Sequence, residues 1–487
     1  MSSDLDPQAL RSRAKRGVVF LGVRAVAVQA IAFVGNVALA RLLTAQEFGV
    51  FGVLQFVLAL FTLLGDVGLG AALIQRGGTP TREQLSSVFW VQLLFGLVVV
   101  GAVFLLAPWV VGFWTDLPGE TPDLLRVLSI SFVLTLARSV PSVLLERQLS
   151  FGKLAVLEFL LTAVYYVAAT TFAALGYGAR SLIWAVVVQA LVGVLVAYAF
   201  YPWLPSLALE WREVKPILAY GVAYQSKNLV GFANSAIVPL LGGRLLGTAA
   251  VGYITWAQSA AYQPLRIVQL LSRVNFPLLS RLQDNPAEYR RLVERGLMLS
   301  GLVVLAFVAV CFGLGEQLVR LIYGPQWLPA LPVFYVFVAC VGVGFIVPMV
   351  TSALDAAGKP RIIATLSAAW MVLNWVAVGA AMMWQQTTLT FVLAYSVHVF
   401  AGNLGLLWVL RAEIPSAGML YVLLTGGASA AIAALVGRAV LARDAGFGAV
   451  VLGCVLIVAV YGLLTFATNR RVYRELAQTL VTFGSRR

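Results

Sequence analysis

Charge is scarce in this chain. Only 11% of its 487 residues are Asp, Glu, Lys or Arg, against roughly 25% in ordinary soluble domains. A soluble globule of this length needs a polar shell, and the residues for one are missing. Histidine occurs once, at His398, and cysteine three times. His398 has no Cys or carboxylate cluster around it, so no metal site is expected. It reads as a satisfied interior histidine ahead of a proton relay. Cys311, Cys340 and Cys454 lie inside apolar runs, lack metal-ligand spacing and read as small core residues. No connection between apolar runs is long enough to hold a soluble catalytic domain. No cleavable signal peptide is recognisable, because the first 16 residues are polar and the following run is too long for a signal core. The first span is expected to be its own insertion signal.

What the chain has instead is apolar length. Hydrophobic residues make up 61% of it, and its mean hydropathy is +0.92. A helix needs about 20 apolar residues to cross a bilayer. Fourteen runs qualify, at 16–42, 48–75, 84–112, 122–148, 152–175, 180–201, 213–243, 248–274, 292–314, 328–354, 361–384, 387–410, 416–440 and 446–468. The expected fold class is an all-α integral membrane protein of about 14 transmembrane helices.

An even number of spans puts both termini on one side. With the termini in the cytoplasm, the inner segments hold 23 of the 34 Lys and Arg, the outer segments seven, and the spans four. That asymmetry follows the positive-inside rule, and the net charge of +14 is explained by orientation before nucleic acid need be invoked. The outer loop around Asp116, Glu120 and Asp123 is acidic, in keeping with this orientation.

The chain also repeats itself. Ala40-Arg41-Leu42-Leu43, followed by Gly49 and Phe51, returns as Gly243-Arg244-Leu245-Leu246, followed by Gly252 and Ile254, at an offset of 203. Val140-Pro141 leading to Lys153 returns as Val347-Pro348 leading to Lys359, at an offset of 207. Six spans separate the copies, so the repeat is parallel, with a pseudo-two-fold axis along the membrane normal, and such repeats usually hold a substrate path at their interface. The expected organisation is a cytoplasmic segment at 1–15, an N-lobe of six helices at 16–201 and a linker at 202–212. A C-lobe of six helices at 213–410, two further helices at 411–468 and a basic cytoplasmic tail at 469–487 complete it.

Four basic residues fall inside spans: Arg24, Arg138, Lys227 and Arg266. At 1.5 Å per residue they lie about 12, 15, 16 and 12 Å from the cytoplasmic end. Lys227 is Arg24 shifted by the repeat offset of 203. A single such residue is explained by snorkelling or local pairing. Each costs roughly 2.5–3.5 kcal/mol on insertion scales, and four at one level argue for a shared, water-filled cationic cavity. Such a cavity binds anions, and guanidinium forks suit phosphate and pyrophosphate. Gln29, Gln225, Asn228 and Gln269, together with Asn36, Asn234 and Asn275, concentrate in the cation-bearing spans. They suit either helix–helix hydrogen bonds or a sugar-lined cavity. Asp66 and Glu158 are intramembrane carboxylates. Each is read first as the partner of a cation and second as a site for H⁺ or Na⁺ coupling, while Glu146 sits at the membrane border. Pro141, Pro239, Pro264, Pro277 and Pro348 interrupt spans, where they are common anyway and where they also permit bending. The last two spans carry almost no interior polarity.

Three stretches resemble a known family. They are Ala40 to Phe51, Gly65-Asp66-Val67-Gly68-Leu69-Gly70-Ala71-Ala72-Leu73-Ile74-Gln75, and Pro141 to Glu158. They are similar to polysaccharide flippases of the Wzx type, the branch handling lipid-linked exopolysaccharide and O-antigen repeat units. That branch belongs to the superfamily of the MATE exporters and the lipid II flippase MurJ. The resemblance implies two six-helix lobes in a V, alternating between inward-open and outward-open states. It implies an undecaprenyl-pyrophosphate-linked oligosaccharide as substrate, its tail left in the bilayer, with spans thirteen and fourteen able to form a groove for that tail. It also implies a bacterial inner membrane, surrounding lipids, and a polysaccharide polymerase with chain-length machinery as partners. No cofactor is expected; H⁺, Na⁺ or the membrane potential would supply energy. Rival readings are a lipid II-type flippase, a multidrug or cation antiporter of the same superfamily, and a membrane polymerase, ligase or glycosyltransferase. The antiporter is disfavoured by fourteen spans and an excess of bases, and an enzyme by short outer loops without histidine.

Overall fold

The computed structural model describes residues 27–65, 80–148, 150–207, 215, 229–410, 416–440 and 446–468. Every regular element among the described residues is helical. The chain forms two compact units, Met1–Val251 and Gly252–Arg487.

In the first unit the helices are α1 (Ala27–Leu42), α2 (Ala45–Gly65), α3 (Arg82–Val111), α4 (Thr121–Ala137), α5 (Ser139–Arg147), α6 (Phe151–Ala174), α7 (Ala179–Phe200) and α8 (Leu229–Leu246). Helix α9 (Thr248–Ala261) crosses the division. The second unit holds α10 (Gln263–Arg281), α11 (Pro286–Leu318), α12 (Leu331–Gly344), α13 (Ile346–Ala356), α14 (Pro360–Trp384), α15 (Thr388–Leu410), α16 (Ser416–Val440) and α17 (Phe447–Thr468).

Among the described residues, twelve helices are long and apolar enough to cross a membrane. They coincide with twelve of the fourteen expected spans. The other two are α1, which is described from Ala27 onward, and the stretch expected as one span at 248–274. The latter is two helices, α9 and α10, separated at Tyr262. Pro264 follows as the second residue of α10, where its missing N–H costs nothing. Helix α10 is amphipathic: Pro264, Val268, Ser272 and Leu279 are buried, whereas Arg266, Gln269 and Phe276 are exposed. Hydropathy summed along the chain merges these two helices, because it cannot see a turn or a polar face.

Helix starts recur at the repeat offset. After Ala40-Arg41-Leu42-Leu43, α2 begins at Ala45; after Gly243-Arg244-Leu245-Leu246, α9 begins at Thr248. Breaks recur too. The span 121–147 is interrupted at Arg138, three residues before Pro141, and the span 325–356 at Phe345, three residues before Pro348. Proline lacks an N–H and collides with the carbonyl four residues back. Those carbonyls are Ala137 and Gly344, so each break falls where the ring dictates.

Packing within the first unit has two larger foci beside a small one of Leu157, Leu161 and Ala197. One gathers Leu85, Val88, Phe89, Val140, Val143, Leu144 and Trp203. There the segment after α7 folds back on α3: the Trp90 indole N–H donates to the Ser206 carbonyl at 2.8 Å, and the Ser206 N–H donates to the Ser86 hydroxyl at 2.8 Å. The other joins Leu39 and Leu43 of α1 and its loop to Ala169 and Ala173 of α6 and Leu182 and Ala185 of α7. The loop after α3 is tied to α8 and α9. The Trp114 indole donates to the Pro239 carbonyl at 2.7 Å, and the Asp116 carboxylate accepts from the Thr248 N–H at 2.6 Å and hydroxyl at 2.9 Å. In the second unit Trp256 stacks on Trp327 at 4.8 Å, with Tyr323 edge-on at 5.0 Å. Helices α16 and α17 pack on α11, where Ile457 lies against Gly313 and Gly437.

Candidate functional site

Arg138 occupies the break between α4 and α5. Its backbone N–H donates to the Leu134 carbonyl at 3.3 Å. Its own carbonyl accepts from the Ser142 N–H at 3.2 Å and the Ser142 hydroxyl at 2.9 Å. The carbonyl freed by Pro141, that of Ala137, accepts from the Tyr198 hydroxyl of α7 at 3.1 Å. Two residues on, the Ser139 hydroxyl donates to Gln92 Oε1 of α3 at 2.7 Å. Gln92 is buried despite its amide. The break is therefore held by side chains from α3 and α7, and an unsatisfied buried carbonyl, costly in an apolar setting, is avoided.

The Arg138 side chain runs across Gly193 of α7. A Cβ at that glycine would lie 3.3 Å from Arg138 Cδ, 3.5 Å from its Nε and 3.0 Å from a Leu161 methyl. The absence of a side chain at 193 makes the channel in which the guanidinium stem lies. Arg138 is half-buried, and its Nε is buried with no hydrogen-bond partner among the described residues. A buried donor without an acceptor is a standing cost of about 1–3 kcal/mol, more for a charged group.

Arg266 lies on the exposed face of α10, and Gln269 is three residues on along the same face. Residues at i and i+3 are neighbours on a helix surface, so the structure brings this cation and this amide together. Gln29 lies on α1 and is partly buried; Glu158 lies on α6 and is exposed. Both take part in interactions of their own. Asn36 donates to the Tyr166 hydroxyl at 2.9 Å, and Asn275 to the Met349 sulfur at 3.5 Å, so these two serve helix contacts. His398 bonds through Nδ1 to the Tyr395 carbonyl one turn back and meets the Tyr395 ring edge-on at 4.8 Å. Arg24, Lys227, Asp66, Gln225 and Asn228 lie outside the described residues. The sequence pointed to neither Gln92, Tyr198 nor Gly193. An isolated polar residue or glycine in an apolar helix carries no sign of which neighbouring helix it faces.

Taken together, these are the features of a multi-pass helical membrane protein with a charged side chain held at a helix break in its first unit. Likeness to solved structures shows the fold: the lipid II flippase MurJ in an inward closed conformation superposes with a TM-score of 0.76 over 93% of this chain and 100% of that one, at 13% identity. An inward-facing multidrug resistance MATE family transporter of the MOP superfamily follows with a TM-score of 0.57 over 80% of this chain and 98% of that one, at 16% identity.

Residues 38–332 match the family described as Polysaccharide biosynthesis protein, and the chain belongs to that family. Among relatives, the lipopolysaccharide biosynthesis protein WzxC of Escherichia coli is 25% identical over 67% of this chain and 66% of its own length. The teichuronic acid biosynthesis protein TuaB of Bacillus subtilis is 28% identical over 57% of each chain. The succinoglycan biosynthesis transport protein ExoT of Rhizobium meliloti is 28% identical over 62% of this chain and 60% of its own. The chain thus spans between 57% and 66% of the length of these relatives.

Proposed function

We propose that this chain is a flippase. It carries an undecaprenyl-pyrophosphate-linked oligosaccharide, an exopolysaccharide or O-antigen repeat unit, from the cytoplasmic to the outer leaflet of a bacterial inner membrane by alternating access. The observation that carries the proposal is the conjunction of a MurJ-like fold over 93% of the chain with membership of a polysaccharide biosynthesis family. The names of ExoT, a transport protein, and WzxC support the substrate class.

In this mechanism the pyrophosphate is the group that the apolar core rejects most strongly, and a cationic cavity receives it. Arg138 supplies a guanidinium from the α4–α5 break, and Arg266 supplies a second from the polar face of α10. Arg24 and Lys227 complete the set by depth and repeat. Gln29, Gln225, Asn228 and Gln269 are the candidates to bind the sugar hydroxyls. The charge asymmetry supports cytoplasmic termini. Surrounding lipids and a polymerase with its chain-length machinery are the expected partners. The chain moves its substrate without chemical change, so it is a transporter and not an enzyme. Return of the empty cavity is driven by the membrane potential, since a unit charge feels about 2.3 kcal/mol per 100 mV, or by H⁺ or Na⁺ on Asp66 or Glu158.

The test is reconstitution in liposomes loaded on one leaflet with the lipid-linked oligosaccharide extracted from the producing cell. Protein-dependent appearance in the opposite leaflet is expected. Lack of transfer, combined with ion-driven efflux of organic cations, would replace the flippase with an antiporter of the same fold.

A further inference from the structure

At one end of the first unit, three helices begin and one ends around a common cavity of about 740 Å³. Helices α2, α4 and α7 start there, at Ala45, Thr121 and Ala179, and α6 ends there, at Ala174. Ligand sites commonly run from about 300 to 1,000 Å³, and this one shares no lining residue with the Arg138 break. Its polar side chains come from Thr44, Gln46, Glu47, Glu120, Tyr177 and Arg180.

The charges in the cavity are already committed. Glu47 accepts from the Thr44 N–H at 2.7 Å and the Thr44 hydroxyl at 2.9 Å, closing the start of α2. Glu120 is ion-paired with Arg180. Two carboxylates against one guanidinium leave the lining net negative, which is hostile to phosphate. The remaining capacity is of both kinds: donors on the Gln46 amide, the Tyr177 hydroxyl and Arg180, acceptors on the carboxylates. A ligand whose own groups both donate and accept fits such a wall, and sugar hydroxyls do both. Tyr177 is 48% exposed and is backed by Phe172 at 5.7 Å, so it offers an apolar ring to the C–H face of a sugar. Gly178, at a φ of +55°, carries the loop down onto Glu47; a Cβ there would lie 2.5 Å from the Glu47 carboxylate. Only a residue without a side chain keeps this wall in place.

We propose that this cavity is a glycan subsite for uncharged, hydroxyl-rich sugar rings, one that turns away the pyrophosphate. On the positive-inside orientation it opens to the outer side, where it receives the sugar part of the substrate after crossing. The proposal rests on the flippase reading for the identity of its ligand.

The probe is the lipid-free oligosaccharide released by mild acid from the producing cell's lipid-linked pool. It is titrated against the full chain in nanodiscs and followed by saturation-transfer NMR. Saturable binding is expected, weakened at least about tenfold by Y177A combined with Q46A and unchanged by excess inorganic pyrophosphate. Absence of binding, binding indifferent to the double variant, or competition by pyrophosphate would each overturn the subsite. The two variants replace lining side chains, and an unchanged melting temperature shows that their folding is intact; E120Q, which weakens the ion pair, gives a second and smaller loss if the wall acts as described. Transport by the wild type without binding of the free glycan removes the subsite and leaves the flippase. Glycan binding that obeys the variants, in a chain that transfers no lipid-linked oligosaccharide, does the reverse.

Discussion

Two breaks in two spans show what this fold requires and what it adds. Arg138 and Phe345 stand at equivalent points, each three residues before a proline, Pro141 and Pro348. Phe345 is 1% exposed and continues into a buried run of Ile346, Met349 and Val350. Arg138 is half-buried, lies in the channel over Gly193 and keeps a buried Nε without a partner. The bend therefore needs proline, and a charge is not required to make it. A fold that forms the same break with phenylalanine has no structural use for an arginine. On the proposed function, the cation serves the substrate and not the bend.

Exchanging the residues breaks this comparison most severely. Phe345→Arg places an unpaired charge in an apolar interior, at an effective cost of several kcal/mol. We expect a chain that fails to purify as a monodisperse, thermally cooperative protein, whereas Arg138→Phe purifies normally. Size-exclusion chromatography and thermal unfolding of the two variants read the outcome directly.

Filling the channel is the next largest perturbation. Gly193→Val adds methyl groups where a Cβ alone would meet Arg138 at 3.3 Å and Leu161 at 3.0 Å. The guanidinium is displaced by a residue that does not touch a substrate. Transfer in liposomes should fall by about tenfold, the equivalent of roughly 1.4 kcal/mol, with Gly193→Ala intermediate. Unaltered transfer in Gly193→Val would mean that the position of Arg138 does not matter.

Tyr198→Phe sharpens the comparison at smaller amplitude. It removes the hydroxyl that donates to the Ala137 carbonyl at 3.1 Å. A hydrogen bond of this kind contributes about 0.5–1.5 kcal/mol net. We expect a lower melting temperature and a modest loss of transfer. A lower melting temperature with transfer unchanged would make Tyr198 a support of the fold alone.

Much of this was legible before the structure. Long apolar runs located the spans, since hydropathy reports burial in lipid directly. The repeated Arg-Leu-Leu stretches stand just before the helix starts at Ala45 and Thr248, and Pro141 and Pro348, read as interrupting spans, stand just after the breaks, because each reflects a local backbone constraint. The turn at Tyr262 escaped, and with it the polar face of α10 bearing Arg266 and Gln269. Depth counting singled out Arg138, which the structure places at the α4–α5 break. It had no means of finding Gly193 or Tyr198, whose roles exist only in the contact of α7 with the α4–α5 break. The glycan-facing cavity was missed for a related reason. Glu47, Glu120 and Arg180 are ordinary loop and cap residues in sequence, and only the convergence of four helix ends makes them one wall.

The central claim is that Arg138 holds the pyrophosphate. Its most direct test is the initial rate of lipid-linked oligosaccharide transfer in liposomes for the wild type, Arg138→Leu and Arg138→Lys, each at matched folded-protein content. We expect Arg138→Leu to lose at least about tenfold, as removal of a charge-assisted hydrogen bond implies, and Arg138→Lys to recover part of it as a point charge without the fork. Equal rates for all three proteins would contradict the account.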